Sequence, residues 1–427
     1  MIAVSVVAAI MYKNLGLSNA EVAAYTGLMN LPWVLKPLWA PFLELHRNKR
    51  FFVLAMELVM VGTFGLLALA LHLPAFIPVT IALFWIAGFA SATQDIAGDG
   101  VYITSTTEKE QGMYMGVQGM FWNLGRVLVS GALVSLTAVL YAWAADGIQQ
   151  PPAAGPDPAW RTAWSVVMGL IAALLLLTCA WHWFKLPPGA RAPEAPTNVS
   201  EAIKTTVDAW VSFFRKPRIW MMIAVVFFYR FGEGFIEKIG PLFLLDSRQL
   251  GGLGLDNMAL GNINGTFGTV AYISGTLIGG FLASKWSLKR TFLLLALGLN
   301  VPNVTYFYLS LALPTDISWI TFIILIEKFG YGFGTVGMML YIMQEMSPGR
   351  YRTAHYAFGT GIMALTMTVT GTASGEIQEF LGYRTFFVFV LVASIPPVVL
   401  AWLAPFRQHR NGNATAEVTE APAGGAQ

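Results

Sequence analysis

Two carboxylates one helical turn apart, Asp95 and Asp99, lie in the stretch Gly88-Phe89-Ala90-Ser91-Ala92-Thr93-Gln94-Asp95-Ile96-Ala97-Gly98-Asp99-Gly100-Val101-Tyr102-Ile103. At about 100° per residue, Ser91, Asp95, Asp99 and Tyr102 share one helix face. The stretch closes an apolar run that begins near Pro78. A charged group at the centre of a membrane helix costs about 2.5–3.5 kcal/mol on insertion scales, so such groups face a bundle interior or a wet cavity. This face is therefore expected to line a solute path. Asp99, near the exit, either belongs to that path or pairs with a loop cation such as Lys109.

Gln118, Trp122 and Arg126 form an i, i+4, i+8 stripe. An aromatic ring between an amide and a guanidinium suits a sugar or a carboxylate, through stacking and paired hydrogen bonds. A Trp at this spacing is otherwise core, but a guanidinium inside a membrane needs a partner, for which Asp95 is one candidate. Arg230, Glu233 and Glu237 share a face at i, i+3 and i+7. Glu327 and Lys328 fall near the depth of Arg230. A cluster of Arg230, Glu233, Glu327 and Lys328 is expected, either as a structural knot or as pairs that open with protonation. Lys36, four residues after Pro32, is either a path residue or a cation snorkelling to the surface.

The elements that position these residues are membrane helices. Of 427 residues, 56% are hydrophobic and 11% charged, with mean hydropathy +0.60. Soluble domains carry about 25% charged residues, so lipid is the main solvent. A net charge of +3 is too slight to suggest nucleic acid, and the single Cys179 excludes an intrachain disulfide framework. A spanning helix needs about 20 apolar residues. By that ruler there are about twelve, near residues 1–12, 19–40, 51–72, 75–103, 111–143, 160–185, 217–244, 257–284, 290–312, 316–345, 353–378 and 384–405. The first is short, as though the beginning of the helix were missing.

Basic residues crowd alternate loops: Arg47, Lys49 and Arg50; Arg215, Lys216 and Arg218; Lys285, Lys289 and Arg290; Arg350 and Arg352; Arg407 and Arg410. Positive loops face the cytoplasm, which places both termini there. Residues 1–185 make an N-terminal six-helix half and 217–406 a C-terminal one. Between them, 186–216 form a cytoplasmic connector. There Asn198 and Glu201 resemble a helix cap, and Val199, Ile203, Val207, Trp210 and Phe214 give an apolar stripe for the membrane surface. Residues 407–427 read as a disordered tail.

Ala40-Pro41-Phe42-Leu43-Glu44-Leu45 with its basic loop closes the second segment as Gly280-Phe281-Leu282-Ala283-Ser284-Lys285 closes the eighth. Tyr102-Ile103 and Tyr341-Ile342 end the fourth and tenth. A six-plus-six repeat with a cytoplasmic connector resembles the major facilitator superfamily. More narrowly, Leu31-Pro32-Trp33-Val34-Leu35-Lys36-Pro37-Leu38-Trp39-Ala40-Pro41 and Ser91–Asp99 resemble AmpG-type muropeptide permeases, relatives of the acetyl-coenzyme A transporters. Arg230-Phe231-Gly232-Glu233 and Gly382-Tyr383-Arg384-Thr385-Phe386-Phe387 are similar in style. The chain departs from the pattern at Gly98 and Gly100 around Asp99, and at the loop His46-Arg47-Asn48-Lys49-Arg50. The resemblance implies proton-driven import of N-acetylglucosamine–anhydro-N-acetylmuramic acid, with or without peptide, across a bacterial inner membrane.

The expectation is thus an all-α secondary transporter, monomeric in the bilayer, moving a small polar organic solute with protons. No cofactor or metal site is expected, since no two histidines lie one helical turn apart and no Walker motif is present. The residues singled out are Lys36, Asp95, Asp99, Gln118, Trp122, Arg126, Arg230, Glu233 and Glu327. A siderophore or other amphipathic solute would also suit an aromatic and charged cavity. A membrane-embedded acyl- or glycosyl-transferring enzyme would need a convergent nucleophile and base, and a transporter-like sensor would need an appended signalling domain; neither is evident.

Overall fold

The computed structural model describes residues 3–39, 43, 49–105, 121, 123–146, 157–188, 198–349 and 351–406. Its framework is a bundle of helices. Nine runs among the described residues are long and apolar enough to cross a membrane. In the first half they are α3 (Lys49–Ala70), α4 (Phe76–Ser105), α5 (Asn123–Ala145) and α6 (Pro158–Lys185). In the second half they are α7 (Ile219–Leu245), α8 (Asn257–Trp286), α9 (Leu288–Ala312) and α10 (Ile317–Met346). The last run divides at Gly382, whose φ of 70° no other residue type adopts cheaply, into α11 (352–381) and α12 (383–402). Two shorter elements, α1 (Ala8–Asn14) and α2 (Asn19–Leu28), begin the chain.

Two expected spans are interrupted. The second, expected over 19–40, ends its first piece at Leu28, resumes at Leu31–Leu35 and tightens to a 3₁₀ turn at Lys36–Leu38. Pro32 and Pro37 cannot donate to the preceding turn, which accounts for the change of pitch. The seventh breaks at Arg230, where φ is −115° and ψ 22°. Asn300 donates its side-chain N–H to the Tyr229 carbonyl at that break. Broken helices are tolerated inside a membrane where neighbours satisfy the freed groups.

The connector helix spans Val199–Phe214, and the Asn198 side chain accepts from the Glu201 N–H as its spacing predicts. Its Ala202, Ala209 and Phe213 pack inward, with His355 of α11 beside Ser212 at 2.9 Å. Val199, Ile203, Val207, Trp210 and Phe214 stay exposed. The expected tail after Arg407 lies outside the described residues.

The halves come close where wide, π-type turns of α5 (Val127–Ala132) and α8 (Gly261–Phe267) face each other. A Cβ on Gly265 would sit 2.2 Å from Gly131 Cα. Only two glycines allow backbones this near. Gly265→Leu should therefore lower the thermal unfolding midpoint of the purified protein, by an overpacking cost of about 1–3 kcal/mol. An unchanged midpoint would mean that this approach contributes no stability.

Candidate functional site

Asp95 lies on an exposed face of α4. Its side chain is 46% accessible, and Lys36 reaches its Oδ2 at 2.7 Å. Lys36 therefore pairs across to α4 instead of snorkelling to the surface. Asp99 is exposed on the same face, and Tyr356 of α11 lies within its electrostatic reach. The face is thus turned toward the second half. The opposite side of α4 is packed: a Cβ on Gly100 would meet Lys49 Cδ at 2.6 Å. Gly100 is small because a lysine stem lies against it. Lys109, Gln118 and Trp122 lie outside the described residues.

Arg126 lies with its guanidinium carbon 5.6 Å from the centroid of the Tyr272 ring on α8. Tyr272 in turn packs on Tyr331 of α10, with centroids 5.1 Å apart. Arg230 donates to the Tyr331 hydroxyl and, at 3.2 Å, to Glu237 Oε2. Its guanidinium carbon is 4.7 Å from the Tyr331 centroid. Glu237 also feels the charge of Arg126. Two guanidiniums, two phenol rings and one half-buried carboxylate therefore meet at the seam, one guanidinium coming from each half.

The expected cluster of Arg230, Glu233, Glu327 and Lys328 forms with different pairings. Arg230 takes Glu237, one further turn along α7, because the break at Arg230 swings its side chain toward Tyr331. Lys328 Nζ lies 2.9 Å from Glu327 Oε2 on the same helix. Glu233 is fully buried, and neither of its oxygens has a hydrogen-bond partner among the described residues. Glu327, Lys328, Glu237 and Arg230 all act on it electrostatically.

Several polar groups escaped the sequence reading. Lys238 is buried and donates to Thr26 Oγ1 of α2 at 2.7 Å, tying the halves at mid-depth. At the end away from the basic loops, Asp246 accepts from Lys13 at 2.7 Å, Asn19 at 3.1 Å and Tyr383 at 2.5 Å. Asn19 also donates to Gln378 at 2.6 Å. Asn257 of α8 donates to Asn14 at 2.6 Å and Thr137 at 2.7 Å. This end is closed by polar contacts between halves. Lys13 and Asn14 stood at a segment end and Asp246 in a turn, so local patterning marked none of them as partners.

The sequence profile described as Major Facilitator Superfamily matches residues 1–363. The chain belongs to the Major Facilitator Superfamily. It is 25% identical over 393 residues to the anhydromuropeptide permease of Escherichia coli K12, covering 90% of this chain and 72% of that one. It is 23% identical over 390 residues to the "Putative transporter AmpG 2" of Rickettsia prowazekii, covering 89% and 86%. Among solved structures, a bacterial homologue of the human lysosomal transporter Spinster, inward-facing and unoccupied, superposes with TM-score 0.70 at 16% identity, over 94% of this chain and 92% of that one. This is an integral membrane transporter, not an enzyme.

Removing the Asp246 charge takes the counter-ion from the partly buried Lys13, which among the described residues keeps only Asn19 as a partner at 2.7 Å. Asp246→Asn should open this end. A cysteine introduced at Leu260, which is buried there, should then react with maleimide several-fold faster in Asp246→Asn than in the parent. Equal rates would mean that the network does not hold the end shut.

Proposed function

We propose that this transporter imports an anionic glycan fragment of the anhydromuropeptide type, driven by protons, with its basic loops on the cytoplasmic side of a bacterial inner membrane. The observation that carries the solute reading is the seam site. Arg126 and Arg230 bring two guanidiniums to the seam beside Glu237, and the half-buried Tyr272 ring offers a stacking face to a pyranose. A carboxylate-bearing sugar satisfies both features. The permease name of a relative spanning most of the chain points to the same solute class. Asp95, Asp99 and Lys36 continue the polar path toward the basic loops, and Gln118 and Trp122 belong to the same proposed path by their spacing.

Glu233 is the proposed proton carrier. The Arg230–Glu237 and Lys328–Glu327 pairs each neutralise themselves, and Lys238 is engaged by Thr26. Among the described residues, no donor reaches either oxygen of the buried Glu233. An ionised carboxylate in that position is strongly disfavoured, and a bound proton removes the penalty. Release of that proton would require the surrounding pairs to rearrange, which links it to movement of the halves.

Reconstituted protein should accumulate N-acetylglucosamine–anhydro-N-acetylmuramic acid in liposomes when a proton gradient is imposed, and a protonophore should abolish accumulation. Glu233→Gln should abolish gradient-driven accumulation at least tenfold while retaining exchange of labelled for unlabelled solute. Accumulation that survives the substitution would exclude Glu233 as the carrier. In a second test, Arg230→Ala should reduce solute binding more than the Arg230→Ala, Glu237→Ala double variant does, since the single change strands a carboxylate; simple additivity would dissolve the pair.

A further inference from the structure

Outside the seam, the first half holds a second buried carboxylate. Glu57 of α3 is 1% exposed, and its Oε1 lies 2.7 Å from His182 Nδ1 of α6. Gln94 of α4 donates to the same oxygen at 3.1 Å. Glu57 Oε2 is buried and has no partner among the described residues. A contact of 2.7 Å between an imidazole nitrogen and a carboxylate oxygen requires a proton between them, because two lone pairs would repel. The His182 side chain is 29% exposed near the basic-loop end of α6, whereas Glu57 is sealed. The group that can exchange a proton with water is thus held directly against the one that cannot.

We propose that Glu57 and His182 form a proton-binding dyad, separate from the solute path, that senses proton activity on the basic-loop side and relays it to α4 through Gln94. With the imidazole doubly protonated, the buried carboxylate has its counter-ion. When the Nε2 proton leaves to water, Glu57 keeps only dipolar partners in a low-dielectric position. The clasp between α3, α4 and α6 then weakens. Gln94 and Asp95 are adjacent on α4 and point about 100° apart, one to the dyad and one to Lys36. Any shift of α4 that follows the dyad therefore moves the Asp95–Lys36 pair.

The other titratable groups on these helices near the dyad are few. Cys179, one turn before His182, is buried with its sulfur 4.0 Å from the Leu54 carbonyl oxygen and its thiol within reach of the Glu57 carboxylate. Lys185, one turn beyond, lies 6.0 Å from the Trp181 ring centroid. Arg50 at the start of α3 donates to the Trp183 carbonyl, and Lys49 lies along Gly100 of α4. Asp95 and Asp99 occupy the exposed face of α4.

Infrared pH titration of the purified protein in lipid nanodiscs tests the dyad without reference to any solute, so its failure is distinct from failure of the transport reading. The parent should show one coupled imidazole–carboxylate transition that vanishes in both Glu57→Gln and His182→Gln. Asp95→Asn should leave it in place, and Gln94→Leu should move its midpoint without removing it. If either dyad variant does not fold, the other alone decides, through loss or survival of the transition. Persistence of the transition in a folded dyad variant, or loss of two independent bands from the two variants, would overturn the proposal. An unmoved midpoint in Gln94→Leu would overturn the relay to α4.

Discussion

Asp246 sits at the C-terminal end of α7, where the helix dipole repels a carboxylate. Its own helix cannot stabilise it, so compensation must come from elsewhere, and it comes from Lys13, Asn19 and Tyr383. Two of these belong to the first half. The electrostatic need of one residue therefore draws the halves together at the end away from the basic loops. Lys238 and Thr26 continue the seal at mid-depth, and the glycine contact of α5 with α8 gives it a close backbone fit. Nearer the basic loops, Asp95 and Asp99 remain exposed. A state closed at one end with polar groups open toward the other is one of the two that alternating access requires.

The break in α7 does comparable work at the centre. An unbroken helix would stack Arg230, Glu233 and Glu237 along one stripe and pair them locally. With the helix interrupted at Arg230, the guanidinium turns to Tyr331 and Glu237, and Glu233 faces the buried interior with Glu327 and Lys328. The stretch from Arg230 to Glu237 thereby serves two environments. Its glycines permit this: Cβ atoms at Gly232 and Gly234 would lie 2.1 Å from Ser394 Oγ and Thr370 Oγ1, respectively. Neighbouring helices close on the break and leave no gap around it.

Apolar runs and basic loops made the helix order, the connector and the superfamily readable from sequence, because lipid imposes length and composition on every span. Single residues were legible where burial cost makes them conspicuous. Asp95, Arg230 and Glu233 announce themselves as charges inside apolar runs. Their partners were less accessible. Helical spacing relates residues on one helix, whereas Lys36–Asp95 and Arg126–Tyr272 are contacts between helices whose relative rotation no periodicity reports. Glu57 was overlooked for a related reason: it lies in an apolar helix, and its partners come from α4 and α6. The break at Arg230 carries no proline, and its local marks, Gly232 and Gly234, also occur in unbroken membrane helices. Gln94, next to Asp95 in the sequence, turns away from the aspartates to Glu57, as a one-residue step of about 100° demands.

The two halves resolve buried charge in different ways, and the difference bears on how they move. The second half concentrates Arg230, Glu233, Glu237, Glu327 and Lys328 in one region, where changing any one alters the field at the others. The first half spreads its charge into pairs that each bridge separate helices, Lys36 with Asp95 and His182 with Glu57. A concentrated cluster responds to a single proton or solute charge as a unit, since low dielectric strengthens every term within it. Distributed pairs instead fix helix positions one contact at a time. Arg126 is the point where the two arrangements meet, a first-half cation set against second-half rings and within the field of Glu237. A bound anion at that seam would compete with Glu237 for both guanidiniums. On the proposed reading, solute occupancy and the pairing of the second-half cluster would be one electrostatic event, and the halves would separate there by exchanging one set of partners for another.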